Sequence, residues 1–203
     1  MAFIQVFQGD LPKDVKWPKM VAVDSETTGL DVVKDRLCLV QIGDGKGNAW
    51  LVQIQKNKPC PNLKKLLTNP KILKIFHYAR FDVAKLKVAL NIDVNPIYCT
   101  KIADKLVRPN AKHSLKNLCE DYLHIQLDKE QQCSDWTQKE LSPEQIHYAA
   151  NDVMYLHALK AILDKELKKQ KRLALALNCF HFLNTRAELD ILGYEEPDLF
   201  AHH

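Results

Sequence analysis

Residues 20–27 read Met-Val-Ala-Val-Asp-Ser-Glu-Thr, and the architecture of the whole chain hangs on that octet. The apolar run Val21-Ala22-Val23 leads without interruption into Asp24, Ser25 and Glu26. A short apolar run closed by turn residues predicts a buried strand, and Thr-Thr-Gly at 27–29 predicts a tight turn directly after it. Side chains two apart on a strand share a face, so Asp24 and Glu26 point together from the strand's end. Paired acids at a strand end are common on protein surfaces. These two stand out because a buried strand feeds them and two further carboxylate segments occur in apolar surroundings.

On either side of the octet the first half of the chain reads as strands: FIQVFQ at 3–8, LCLVQIGDG at 37–45 and NAWLVQI at 48–54. GDGKGN at 43–48 is a turn signal that joins two of them as a hairpin. PNLKKLL at 61–67 predicts a short helix, ILKIFH at 72–77 another buried strand, and YARFDVAKLKVAL at 78–90 a helix. The second half is helical. Ser114 is a plausible N-cap for SLKNLCEDYL, and Ser142-Pro143-Glu144-Gln145 combines an N-cap, proline at N1 and glutamine at N3. From there Ile146, Ala149, Ala150, Val153, Leu156, Leu159, Ile162 and Leu163 keep helical spacing into the lysine-rich 165–172. An antiparallel meander followed by strand–helix alternation predicts an α/β fold, a mixed central sheet flanked by helices.

With 203 residues, 46% of them hydrophobic and 27% charged, the chain suits a single domain over 1–203. The net charge of +4 is compatible with a polyanionic ligand without requiring one. Six cysteines (Cys38, Cys60, Cys99, Cys119, Cys133, Cys179) are scattered without a C-x-x-C pair, which favours buried free thiols over disulfides or zinc. The N-terminus lacks a basic segment and a long apolar stretch, and the apolar run 173–183 is too short for a bilayer. A cytoplasmic protein with no membrane partner is the expectation.

Asp82 lies between Phe81 and Val83 in HYARFDVAKL, and Tyr148 and Asp152 lie in QIHYAANDVMYL. The latter two are four residues apart, roughly 40° around a helix, and so share a face. His147, five before Asp152, sits about 140° away and points elsewhere. Gathering Asp24, Glu26, Asp82 and Asp152 is costly unless cations neutralise them, and all-oxygen ligands suit hard divalent metals. The set therefore predicts a two-metal phosphoryl-transfer site, in which ions about 3.5–4 Å apart activate water and stabilise a leaving 3′-oxygen. Tyr148 is the candidate to orient that water, with core packing its alternative.

VDSET, FDV and HYAANDVMYL resemble the three exonuclease motifs of the DEDD superfamily, and Y-x-x-x-D is the pattern of its DEDDy branch. CSDWTQKELSPEQIHYAANDVMYL is similar to the catalytic domain of the ribonuclease D family, and the resemblance runs from about residue 20 to 167. IFHYARFDVAKL, CTKIADKL, SDW and the tail from Cys179 extend it to the NrnC-type nanoRNases. The resemblance to ribonuclease D is expected to cover its catalytic domain alone, without the helical domains that follow it there. The resemblance implies a ribonuclease H-like fold, two Mg²⁺ or Mn²⁺ ions, and 3′→5′ hydrolysis of short 5′-phosphorylated single-stranded RNA, dinucleotides above all, to nucleoside 5′-monophosphates. It also implies a homo-octameric ring, with residues 168–203 supplying oligomer contacts. Trimming of longer RNA 3′ ends, or exonuclease action on DNA, is the alternative. Ser25 stands where threonine is commoner in the family and keeps the hydroxyl. Candidate substrate-binding residues are Leu30 as a wedge against a base, His77, Arg80, Lys101, Arg108, Lys112 and His113 for phosphate, and Trp136 to stack or shape the pocket. Each cation could equally be solvated, and Leu30 and Trp136 could equally pack inward.

Overall fold

The computed structural model describes residues 3–127, 131, 134–194 and 199. Six strands, β1 (Phe3–Gln8), β2 (Met20–Thr27), β3 (Leu37–Gly43), β4 (Asn48–Gln53), β5 (Leu73–Phe76) and β6 (Ile97–Cys99), form one sheet in the order β1-β4-β3-β2-β5-β6. The hairpin predicted at 43–48 joins β3 to β4, and β2–β3–β4 is the antiparallel meander. β5 and β6 add parallel strands on the far side of β2. β1 departs from the expected order. It runs parallel to β4 along the sheet edge and so stands outside the antiparallel meander. This is the mixed, helix-flanked sheet expected of a ribonuclease H-like fold.

The helices are α1 (Pro61–Leu67), α2 (Ala79–Leu90), α3 (Thr100–Val107), α4 (Leu115–Leu123), α5 (Pro143–Met154), α6 (Leu156–Lys169) and α7 (Leu173–Ile191). Ser114 caps α4 by accepting from Asn117 N, and Ser142 and Gln145 form a complete capping box at the start of α5. The single long helix expected after Pro143 is in fact two. Tyr155 ends α5 and begins α6, and the apolar spacing continues across the break because Leu156, Leu159 and Leu163 are buried on their own account. The break lets α5 lie on the meander while α6 packs against α3 and α4. β6 and α3 carried no separate sequence expectation; α3 is a strongly amphipathic helix that buries Ala103 and Val107.

β2 is the centre of the assembly, with Val21, Ala22 and Val23 fully buried. β1, before residue 20, and α7, after residue 167, both join this body. β1 extends the sheet, and α7 packs Phe180 against Tyr98 of the β5–β6 side at 4.6 Å between ring centroids. Cys38, Cys60, Cys99 and Cys119 are buried free thiols and Cys179 is half-buried, as expected; Cys133 lies outside the described residues, as does most of the apolar tail end. Among the described residues no helix is long and apolar enough to cross a membrane.

The close seat of α5 depends on one glycine. A Cβ at Gly43 would lie 2.9 Å from the Val153 carbonyl oxygen and 3.1 Å from Val153 Cβ. Gly43→Ala is therefore expected to lower stability by about 1–3 kcal/mol, measured by urea denaturation. A variant as stable as the parent would show that α5 does not press on β3 in solution.

Candidate functional site

The antiparallel ladder ends with a register shift between Glu26 and Thr27, an irregularity of the kind that re-aims side chains at a strand end. Here Asp24 and Glu26 meet Asp152 from α5. Each of the three offers an oxygen, and these atoms lie within 4.8 Å of one another. Asp82, in the first turn of α2, is 4% exposed and lines the same cleft of about 570 Å³. Ser25 Oγ donates to Asp82 Oδ1 at 2.6 Å, so one oxygen of this fourth acid is held by a neighbour. The tight group is thus Asp24, Glu26 and Asp152, with Asp82 beside it.

Their electrostatics follow from burial and like charge. Burial, then the charges of Asp82, Asp152 and Glu26, raises the Asp24 carboxyl well above its ordinary range. Burial and the charges of Asp152 and Asp82 push Glu26 up to about 9. Asp82 is pushed up to about 7 by burial, against the pull of the Ser25 hydrogen bond. The acids cannot all be ionised together without a counter-charge. An all-carboxylate donor set at this spacing fits a hard divalent cation.

Tyr148 and Asp152 share the inner face of α5, as their spacing predicts, and both line the cleft. His147 is exposed and is not among the lining residues described. Burial, and then the charges of Asp152, Glu26 and Asp24, raises the Tyr148 phenol, which stays protonated and acts as a hydrogen-bond donor. Trp136 is 4% exposed and packs against Tyr148, with ring centroids 6.0 Å apart. It forms part of the cleft wall and of a core cluster at once, so its two alternatives coincide. Gln145 does more than cap α5. Its Nε2 donates to Ser134 Oγ and to the Asp135 carbonyl, both at 3.0 Å, and ties down the Ser-Asp-Trp loop.

The candidate substrate-binding residues divide into two groups. Leu30, His77, Lys101 and Trp136 line the cleft. Leu30 is 86% exposed at the rim, and Lys101 lies 4.0 Å from the centre of the Tyr78 ring. His77 Nδ1 meets Thr100 Oγ1 at 2.9 Å, while that hydroxyl donates to the Phe76 carbonyl; Nε2 faces the His113 carbonyl at 3.1 Å. Both ring nitrogens therefore face polar partners in the wall of the cleft. Arg80, Arg108, Lys112 and His113 are not among the lining residues described. Arg80 forms a two-pronged pair with Asp190 at 2.7 and 2.8 Å, which fastens α2 to α7. Arg108 and His113 converge on Asp104, and Lys112 is exposed. Arg80, Arg108 and His113 are thus held at carboxylates outside the cleft.

The loop between β2 and β3 forms the rim. Asp35 accepts from Thr28 Oγ1 and Asp31 N, and Lys85, buried on α2, donates its ammonium to the Val32 and Asp35 carbonyls. Sequence reading missed the Ser25–Asp82 bond, the lining role of Tyr78 and Phe81, and the Lys85 anchor. Tyr78 takes a left-handed conformation (φ +70°) that only glycine or asparagine would have signalled. Lys85 carried no signal, since a lysine on an amphipathic helix ordinarily faces water.

A profile of the 3′-5′ exonuclease family matches residues 9–168. The chain belongs to that family. Among solved structures, Brucella melitensis NrnC is 45% identical over 99% of both chains with a TM-score of 0.94. Brucella melitensis NrnC bound to pGG is 44% identical over the whole of both, also at 0.94. Escherichia coli RNase D is 25% identical over 84% of this chain and 45% of its own, at 0.75. The ribonuclease D of Haemophilus influenzae is 32% identical over 73% of this chain but 37% of the relative. The chain therefore spans well under half the length of the curated ribonuclease D relatives, whereas it matches NrnC end to end.

The raised carboxyls make the cation-free exonuclease fold sensitive to alkali. Glu26 has an ordinary value of 4.5 and a folded value of about 9, so between these the folded state binds more protons than the unfolded one. Stability must fall as pH rises through that window, and Asp82 adds to the loss below about 7. In EDTA, the Tm difference between wild type and Glu26→Gln is expected to shift in favour of the variant from pH 5 to 9. Excess Mn²⁺ should raise the wild-type Tm most at the alkaline end. A difference that does not change with pH would contradict the coupling.

Proposed function

We propose that the protein is a metal-dependent 3′→5′ exoribonuclease that cleaves short 5′-phosphorylated RNA, dinucleotides above all, to nucleoside 5′-monophosphates. The observation that carries the reading is the meeting of Asp24, Glu26 and Asp152 within 4.8 Å on a cleft that Asp82 and Tyr148 also line. Asp24, Glu26, Asp82 and Asp152 would hold two Mg²⁺ or Mn²⁺ ions. Such a pair, when bound, supplies activation of water and stabilisation of the leaving 3′-oxygen. The protonated Tyr148 orients the attacking water by donating to it, and Trp136 restricts the phenol's movement. Lys101, on the wall, presents a cation to substrate phosphate, His77 shapes the wall beside it, and Leu30 offers an apolar edge to a base.

The preference for short RNA is supported by end-to-end similarity to an NrnC that has been solved with pGG. Assembly into a homo-octameric ring is part of the same reading, with α7 as the contact. Leu175 and Leu177 leave apolar surface on that helix, 52% and 46% exposed. The buried free thiols suit a reducing cytoplasm. Trimming of longer RNA is the second reading, favoured by the ribonuclease D relatives.

Labelled RNAs of about two, three, seven and twenty nucleotides, with matched DNA, separate these readings in the presence of Mg²⁺. Turnover is expected to be fastest for the dinucleotide, and equal or faster decay of the longest RNA would favour the trimming reading. Tyr148→Phe should lower kcat by about 10²-fold or more, while His147→Ala should leave it near wild type. The reverse pattern would reassign the water-orienting group.

A further inference from the structure

We infer that Gln41 is a positioning residue for the acid cluster, its side-chain amide orienting the Asp24 carboxyl when a divalent cation is held there. Gln41 is in the middle of β3 and fully buried, yet neither its Nε2 nor its Oε1 has a hydrogen-bond partner among the described residues. An amide hidden from water with both ends unmade is a standing cost that an apolar side chain of the same length would remove. Its position suggests what the cost secures. In the antiparallel β2–β3 ladder Gln41 is directly opposite Asp24, and directly opposed residues share a face. Glu26, the other acid of β2, is opposite Leu39, so the amide is the polar neighbour that β3 supplies to the site. α5 closes over the same face, since Gly43, two residues along, meets Val153.

The chemistry of an amide suits this place. It carries no charge, so it adds nothing to the repulsion among the acids and does not compete with them for a cation as a carboxylate would. One of its N–H groups can donate to a carboxylate oxygen of Asp24 and so fix the orientation of that carboxylate.

The inference rests on the metal-dependent reading, and its test distinguishes the two. Mn²⁺ binding to full-length wild type, Gln41→Met and Asp24→Asn is measured by calorimetry and by electron paramagnetic resonance of unbound Mn²⁺. Thermal melts are recorded with and without the ion. Gln41→Met is expected to melt no lower than wild type in EDTA, but to bind Mn²⁺ about 10- to 100-fold more weakly and to gain less Tm from it. A purely structural glutamine would move the EDTA melt and leave Mn²⁺ affinity alone. Affinity within about twofold of wild type, where Asp24→Asn abolishes binding, overturns the inference and spares the metal reading. Absence of Mn²⁺ binding by wild type overturns both. Should Gln41→Met not fold, a Mn²⁺-loaded crystal structure of wild type decides. Nε2 within hydrogen-bond distance of an Asp24 oxygen supports the role, and an amide still without a partner refutes it.

Discussion

Mutual repulsion among carboxyl groups is the constraint around which this protein is built. Asp24, Glu26, Asp82 and Asp152 come from one strand and two helices that are far apart in sequence, and burial and neighbouring charge drive Asp24, Glu26 and Asp82 toward their protonated forms. Nothing local to these residues favours the gathering. It is held by the surrounding apolar body: Val21–Val23 of β2 fully buried between β3 and β5, α5 pressed on β3 at Gly43, and α2 laid beside them. The site is a region of stored unfavourable energy that the core sustains and that a bound cation would relieve.

The two helices that bring acids to β2 are each fastened by polar side chains to the elements around the cleft. α5 begins with a capping box whose glutamine also grips the Ser134–Asp135 loop, so the helix start and the wall holding Trp136 are one unit. α2 is tied at Arg80 to Asp190 on α7 and at Lys85 to the rim loop, on either side of Asp82. The break at Tyr155 separates the helix that serves the site from the one that serves the opposite core, so each can take the orientation its own neighbours require.

Sequence reading recovered what is encoded locally. The i, i+2 spacing of Asp24 and Glu26, the four-residue step from Tyr148 to Asp152, the hairpin at 43–48 and both N-caps are consequences of backbone periodicity or of single-residue chemistry, and each is visible in a short window. What escaped is set by distant partners. Arg80 was a reasonable phosphate ligand until Asp190, 110 residues away, claimed its guanidinium. The parallel placement of β1 depends on where β4 ends up, and the division of α5 from α6 is hidden because both halves bury apolar residues at helical spacing. Ser25 was read as a neutral replacement between two acids; its bond to Asp82 required knowing that α2 passes beside the strand.

Lys85 gives the cleft a property that its lining residues do not. Its ammonium, bound to two main-chain carbonyls of the rim loop, sits one helical turn from Asp82 on the same rigid α2. The loop that carries Leu30 is therefore indexed to the acids by a charged strut rather than left to settle on whatever enters. A ligand of the right dimensions meets an edge already ordered, so its binding free energy is not drawn down by freezing that loop. One that is too large meets an edge that does not yield. Discrimination by size can thus reside in the stiffness of the backbone behind the rim, out of sight of the substrate itself.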